Sequence, residues 1–172
     1  MFDDALQHQL AQAMRLDAQF AVLYIDLDKF KEINDRLGHA AGDELLRETA
    51  RRLLDATRAS DFVARLGGDE FGVILANLGS RQDAQAAVAK LNCALNRPYA
   101  FEQQILNTRA SIGVALFPDH GNQPAGLVRS ADLALYSAKA GNRGGVCFAR
   151  GRPVWDEACA WRSRVSSPLE PI

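Results

Sequence analysis

Arg65-Leu66-Gly67-Gly68-Asp69-Glu70-Phe71-Gly72-Val73-Ile74-Leu75 sets a glycine pair and two adjacent acids between apolar runs. Val63, Ala64 and Leu66 before the glycines, and Phe71, Val73, Ile74 and Leu75 after them, predict two buried strands in a hairpin over residues 61 to 76. Glycine opens backbone angles closed to other residues, and without a Cβ it lets a bulky anion approach the main chain. Asp69 and Glu70 then stand on a rigid mount suited to a metal and a phosphate. Alone, such a turn is more often only the tip of a solvated hairpin.

Outward from this hairpin, a second apolar run, residues 20 to 25, ends in Asp26-Leu27-Asp28 and is followed by Phe30-Lys31 and Asn34-Asp35. Carboxylates gathered at a strand end beside lysine suit hard, oxygen-seeking cations that also carry substrate phosphates. The competing reading is that Asp26 and Asp28 cap the next helix, and for Asp28 capping weighs at least as much as ligation.

The series of motifs resembles the GGDEF family, the diguanylate cyclases that make cyclic di-GMP from two GTP. Residues 26 to 35 resemble D-x-D-x-F-K-x-x-N-D, residues 38 to 43 resemble G-H-x-x-G-D, and Arg58-Ala59-Ser60-Asp61 resembles the R-x-x-D upstream of the signature at residues 65 to 71. Ser111-Ile112-Gly113 and residues 131 to 139 complete an ordered match over about residues 20 to 148. The resemblance implies a palm-like, ferredoxin-related core and the joining of two GTP with release of pyrophosphate. It implies that Asp26 and Asp69, with the Leu27 carbonyl, hold two Mg²⁺ or Mn²⁺ ions. Glu70 aids the metal or the hydroxyl, or pairs with a nearby base. By the same resemblance Asn34 and Asp43 read guanine, Phe30 and Lys31 cradle phosphate, Lys139 and Arg143 anchor the outer phosphates, and Arg58 with Asp61 binds the inhibitory product. An amide and a carboxylate do complement the guanine edge; the alternative is that Asn34 caps a helix end and Asp43 starts the next helix. His39 is expected to pack or hydrogen-bond structurally. The family's A-K-x-x-G-R-N becomes Ala138-Lys139-Ala140-Gly141-Asn142-Arg143-Gly144, which keeps the arginine spacing and changes the turn around it.

The chain of 172 residues is 48% hydrophobic and 24% charged, enough for one compact domain. Its 20 basic and 21 acidic residues leave a net charge of −1, so no global field favours nucleic acid or an anionic membrane. Cys93, Cys147 and Cys159 lack C-x-x-C spacing, which argues against a disulfide framework or a zinc site and suits a reducing cytoplasm. No apolar run approaches the length of a membrane span, and no direct membrane contact is expected.

Leu6, Leu10, Ala13 and Met14 predict an amphipathic helix over residues 2 to 16 leading into a strand at 20 to 27. A short helix from Lys29 to Leu37 breaks at Gly38. A longer one carries Leu46, Ala50, Leu53, Leu54 and Thr57 inward and Arg47, Arg51 and Arg58 outward. After the hairpin come a helix over 81 to 96 ended by Pro98, a strand pair at 99 to 103 and 106 to 117, a helix with Leu127, Ala131, Ala134, Leu135 and Ala138 on one stripe, and a short strand near 144 to 148. This is a mixed α/β (α+β) layer fold with an antiparallel sheet covered by helices. Residues 1 to 150 form the domain and 151 to 172 a linker or tail, with Trp155 and Trp161 in a short helix. The family's D-x-L-T-G-L-x-N-R is absent, and Met1-Phe2 stands where it would end, so the chain is expected to be part of a longer protein carrying sensory or phosphodiesterase domains.

The sequence thus predicts a diguanylate cyclase that works as a homodimer, since each subunit holds one GTP and bond formation needs two face to face. A silent GGDEF receptor of GTP or cyclic di-GMP is the alternative, and a cyclase making a cyclic mononucleotide is disfavoured by the guanine pair.

Overall fold

The structure, a computed structural model, describes residues 1–141 and 144–150. Arg143 and the tail with Trp155 and Trp161 lie outside the described residues.

Helix α1 (Phe2–Leu16) enters β1 (Gln19–Leu27), which leads through α2 (Phe30–Leu37) and α3 (His39–Ala56) to the hairpin of β2 (Phe62–Gly67) and β3 (Glu70–Leu78). Helix α4 (Arg81–Leu95), the short strands β4 (Tyr99–Phe101) and β5 (Gln104–Leu106), β6 (Ala110–Phe117), α5 (Pro124–Ala140) and β7 (Val146–Phe148) follow. The main sheet has the order β2-β3-β1-β6-β7, antiparallel except where β7 joins β6. The mixed α/β fold with a helix-covered, largely antiparallel sheet is as predicted.

β1 lies at the centre and is buried on both faces. Side chains alternate along a strand. Leu23, Ile25 and Leu27 therefore join the core shared with α3 and α4, while Phe20 and Val22 join a second core with Phe2, Leu6 and Leu10 of α1 and Leu127 and Ala131 of α5. Each such fully buried side chain contributes about 1.5–3 kcal/mol. Asp26 has the parity of Phe20 and Val22, which aims it at the α1 and α5 side.

Several inward positions differ from expectation. Met14 and Leu54 are 65% and 62% exposed. On α3 the inner stripe instead runs through Ala41, Leu45, Leu46, Thr49, Arg52 and Leu53. Arg52 is buried because its guanidinium donates to the carbonyls of Ala94, Arg97 and Pro98 at 3.1, 2.6 and 2.7 Å, pairs with Glu48 at 2.8 Å and lies 3.7 Å from the Tyr99 ring centroid. It ties α3 to the exposed carbonyl end of α4, where a helix leaves acceptors without partners. β2 is an edge strand and only half-buried, not a core strand. The pair expected from 99 to 117 divides: β4 pairs with β5 in a separate ribbon, whereas β6 pairs with β1.

α5 crosses β6 at Gly113, where a Cβ would overlap the Ala131 carbonyl and the Leu135 amide. The close approach requires glycine and sets the position of the helix that carries Lys139.

Candidate active site

The carboxyl end of β1 and the tip of the β2–β3 hairpin are adjacent by register, since Asp26 stands opposite Glu70 on β3 and Ser111 on β6. Gly68 turns with φ of +51°, a left-handed conformation that favours glycine. Gly67 needs no such angle. The Leu27 amide donates to the Asp69 carbonyl at 3.3 Å, and Arg65 donates through Nε and Nη2 to the Gly68 carbonyl at 2.9 and 2.7 Å. The hairpin tip is thus tied to the end of β1 and braced from within by Arg65.

Asp26, 8% exposed, receives Lys139 Nζ on Oδ2 at 2.7 Å. Burial and the neighbouring Asp26 carboxylate push the Asp69 carboxyl above the usual range, and the same two causes raise Glu70. Three acids share one lysine here. Among the described residues no group of histidines, cysteines and acids is gathered closely enough to cage a metal unaided. The donors nevertheless fit a hard divalent cation: all are oxygens, their like charges repel, and Asp26 already holds a cation in the form of the Lys139 ammonium.

Asp28 is buried, and Ser111 Oγ donates to its carboxylate, 2.9 Å from Oδ1 and 3.2 Å from Oδ2. Its backbone is held too, by Thr108 Oγ1 donating to its carbonyl at 2.7 Å and by its own amide donating to the Arg109 carbonyl at 2.8 Å. Lys29, with φ of +62°, takes the position before α2. Phe30, partly buried, and Lys31, exposed, form the first turn of that helix, whose leading amides have no intrahelical acceptor.

Asn34 of α2 lies against Gly42 of α3, where a Cβ would overlap the Asn34 amide oxygen. Among the described residues that buried oxygen has no hydrogen-bond partner. A buried acceptor left unpaired costs about 1–3 kcal/mol. Asn34 therefore does not cap the helix with its side chain; its backbone carbonyl accepts from Gly38 at 2.8 Å instead. Asp43 does not start α3 either, because the helix begins at His39. Asp43, with Leu46, Ala50, Val63 and Phe71, lines an open groove of about 380 Å³ between α3 and the hairpin. His39 is exposed and, among the described residues, makes no side-chain hydrogen bond, contrary to the packed role expected of it.

Arg58 and Asp61 sit at the far end of the hairpin. Asp61 accepts from the Arg58 amide at 2.8 Å and from the Ala76 amide at 3.0 Å. Ala76 is six residues along β3 from Glu70, or about 20 Å. The surface ion pair is not formed, and among the described residues the Arg58 guanidinium is unpaired. Sequence assigns no role to Arg65, and the Ser111-Ile112-Gly113 motif does not reveal Asp28 as the partner of Ser111.

Comparison with known proteins places these features. The family description "Diguanylate cyclase, GGDEF domain" matches residues 1–145. The chain is 46% identical over 144 residues to diguanylate cyclase TpbB of Pseudomonas aeruginosa, covering 83% of this chain and 33% of TpbB. It is 44% identical over 148 residues to MucR of the same organism, a bifunctional diguanylate cyclase/cyclic di-GMP phosphodiesterase, covering 86% of this chain and 22% of MucR. The chain thus spans a third or less of these relatives. The solved GGDEF domain of TpbB superposes with a TM-score of 0.84 at 45% identity, covering 87% of each chain.

Proposed function

Because this chain belongs to the GGDEF family of diguanylate cyclases, we propose that it condenses two GTP into cyclic di-GMP and two pyrophosphate. The observation that carries the reading is the convergence of Asp26, Asp69, Glu70 and Lys139 where β1 meets the hairpin tip. In each half-reaction the ribose 3′-hydroxyl oxygen of one GTP bonds to the α-phosphorus of the other, the bond to the pyrophosphate oxygen breaks, and the hydroxyl proton leaves.

Asp26 and Asp69, with the Leu27 carbonyl, would hold Mg²⁺ or Mn²⁺, two ions in each half-site. Such ions, when bound, neutralise phosphate charge and acidify the attacking hydroxyl. Glu70, whose carboxyl already favours the proton, is suited to receive one from the hydroxyl. Asn34 and Asp43 take the guanine edge, which would give the orphaned Asn34 oxygen its partner; adenine offers the wrong donors. Phe30 and Lys31 at the start of α2 cradle phosphate, and Lys139 with Arg143 anchors its outer oxygens.

One GTP per subunit requires two subunits facing each other, so the working form is a homodimer. Residues 1 to 150 act as the catalytic domain and the tail as a linker to sensory or phosphodiesterase domains, an organisation favoured by the greater length of the relatives. Arg58 and Asp61 take the product as an inhibitor. Incubation with GTP and Mg²⁺ followed by chromatography tests the reaction: cyclic di-GMP is the expected product. A folded protein that binds GTP without forming it is a silent receptor, and a cyclic mononucleotide would place the chain among other cyclases.

A further inference from the structure

Asp26 is nearly buried, and its carboxylate is compensated from the end of a different element, α5. An isolated buried carboxylate is costly, so the metal-free fold needs this counter-charge. The side chain that supplies it is 37% exposed, while that of Asp26 is 11% exposed. Lysine carries a compact charge on a flexible stem, and the last turn of a helix favours a cation whichever anion it faces. The helix itself is held by the contact at Gly113, so Lys139 can exchange partners by side-chain rotation alone.

We propose that Lys139 is an internal counter-cation that occupies the metal position at Asp26 and leaves it for the substrate phosphates, so that metal and nucleotide bind cooperatively. This rests on the diguanylate cyclase reading for the identity of the metal and of the phosphates. A divalent ion and an ammonium on the two oxygens of one carboxylate repel each other. Metal binding therefore expels the lysine, and the triphosphate offers it an anion. Conversely, a nucleotide that draws Lys139 away uncovers Asp26 for the metal. The two ligands then share one coupling factor, as linkage demands.

Mn²⁺ binding without nucleotide, followed by the loss of the free-ion paramagnetic resonance signal, tests the exchange. Lys139→Met should bind Mn²⁺ about tenfold more tightly than wild type. Lys29→Met, which removes an exposed cation paired with Glu32 and not with Asp26, should stay within about twofold, a control for the general field. Asp26→Asn should lose most Mn²⁺ affinity, and circular dichroism verifies that each variant is folded. Unchanged or weaker binding by Lys139→Met, or an equal gain in Lys29→Met, overturns the exchange while leaving the metal assignment intact. Full affinity in Asp26→Asn instead overturns the metal assignment, and the exchange with it.

Discussion

Asp69 shows how an acid proposed for the site costs the metal-free fold stability. Its carboxyl is raised first by burial and then by Asp26. A raised acid holds its proton in the folded state at a pH where the unfolded chain has lost it, so stability falls as pH rises through the folded value. Asp69→Asn should therefore raise the thermal midpoint of the metal-free protein at pH 7, with the gain vanishing by about pH 2, well below the ordinary aspartate pKa, where both states are protonated. The same variant should lose turnover. Scanning fluorimetry in chelator at both pH values checks the sign, and a midpoint below wild type at pH 7 contradicts it. At the other end of the hairpin, Arg58 has a guanidinium with no partner among the described residues, beside an Asp61 carboxylate oriented by two backbone amides. Loss of a charge-assisted hydrogen bond costs roughly 1.5–3 kcal/mol, so Arg58→Ala should weaken cyclic di-GMP binding about tenfold to a hundredfold while GTP turnover survives. Calorimetry with cyclic di-GMP decides, and equal affinities remove the feedback site. The acids of the signature were legible because adjacent carboxylates on a glycine turn are locally unusual. Arg65 and Ser111 were not, because their partners, the Gly68 carbonyl and the Asp28 carboxylate, are recognised only when the turn is closed and strands β1 and β6 are paired.

The elements followed their local codes closely where one face of an amphipathic stretch meets one neighbour. The predicted span of α1 coincides with Phe2–Leu16, and the break at Gly38 holds. Met14 and Leu54 went astray because an apolar residue at the margin of a stripe is buried only if a neighbour covers it, and spacing does not reveal which margin that is. Arg52 is the converse case: a charged residue is buried because three distant carbonyls of the α4–β4 connection need a donor. The split of the expected strand pair into β4–β5 and β6 has the same origin, since β4 pairs with the strand next in the chain while β6 takes the edge of β1, far away in sequence. At the helix–sheet contact, Gly113→Ala forces a methyl group into the backbone of α5, which cannot yield as a side-chain end would. We expect a loss of about 3 kcal/mol or more in urea unfolding, together with reduced turnover because Lys139 rides on that helix. A variant as stable as wild type would show that α5 can shift on the sheet.

At the scale of the molecule, the proposed chemistry needs more than one copy, since the substrates must be presented to each other across two half-sites. Specific activity should then rise with protein concentration, and sedimentation should show dimers gaining weight over the same range. An activity flat across a dilution series of a monomer would contradict the paired arrangement. The Asp69–Glu70 signature, the Asp26-Leu27-Asp28 strand end, the helix periods, the mixed α/β class and the family were determined by the sequence alone, because each depends on residues within a few positions of one another. Only the tertiary structure decided that Asp26 faces α5 and meets Lys139, 113 residues later in the chain, at 2.7 Å. Only it decided that Asn34 buries an oxygen without a partner among the described residues against Gly42, and that Arg58 stands about 20 Å of strand away from the acids. These depend on strand order, register and helix docking, which are set by the two cores on opposite faces of β1 and by contacts between residues far apart in the chain.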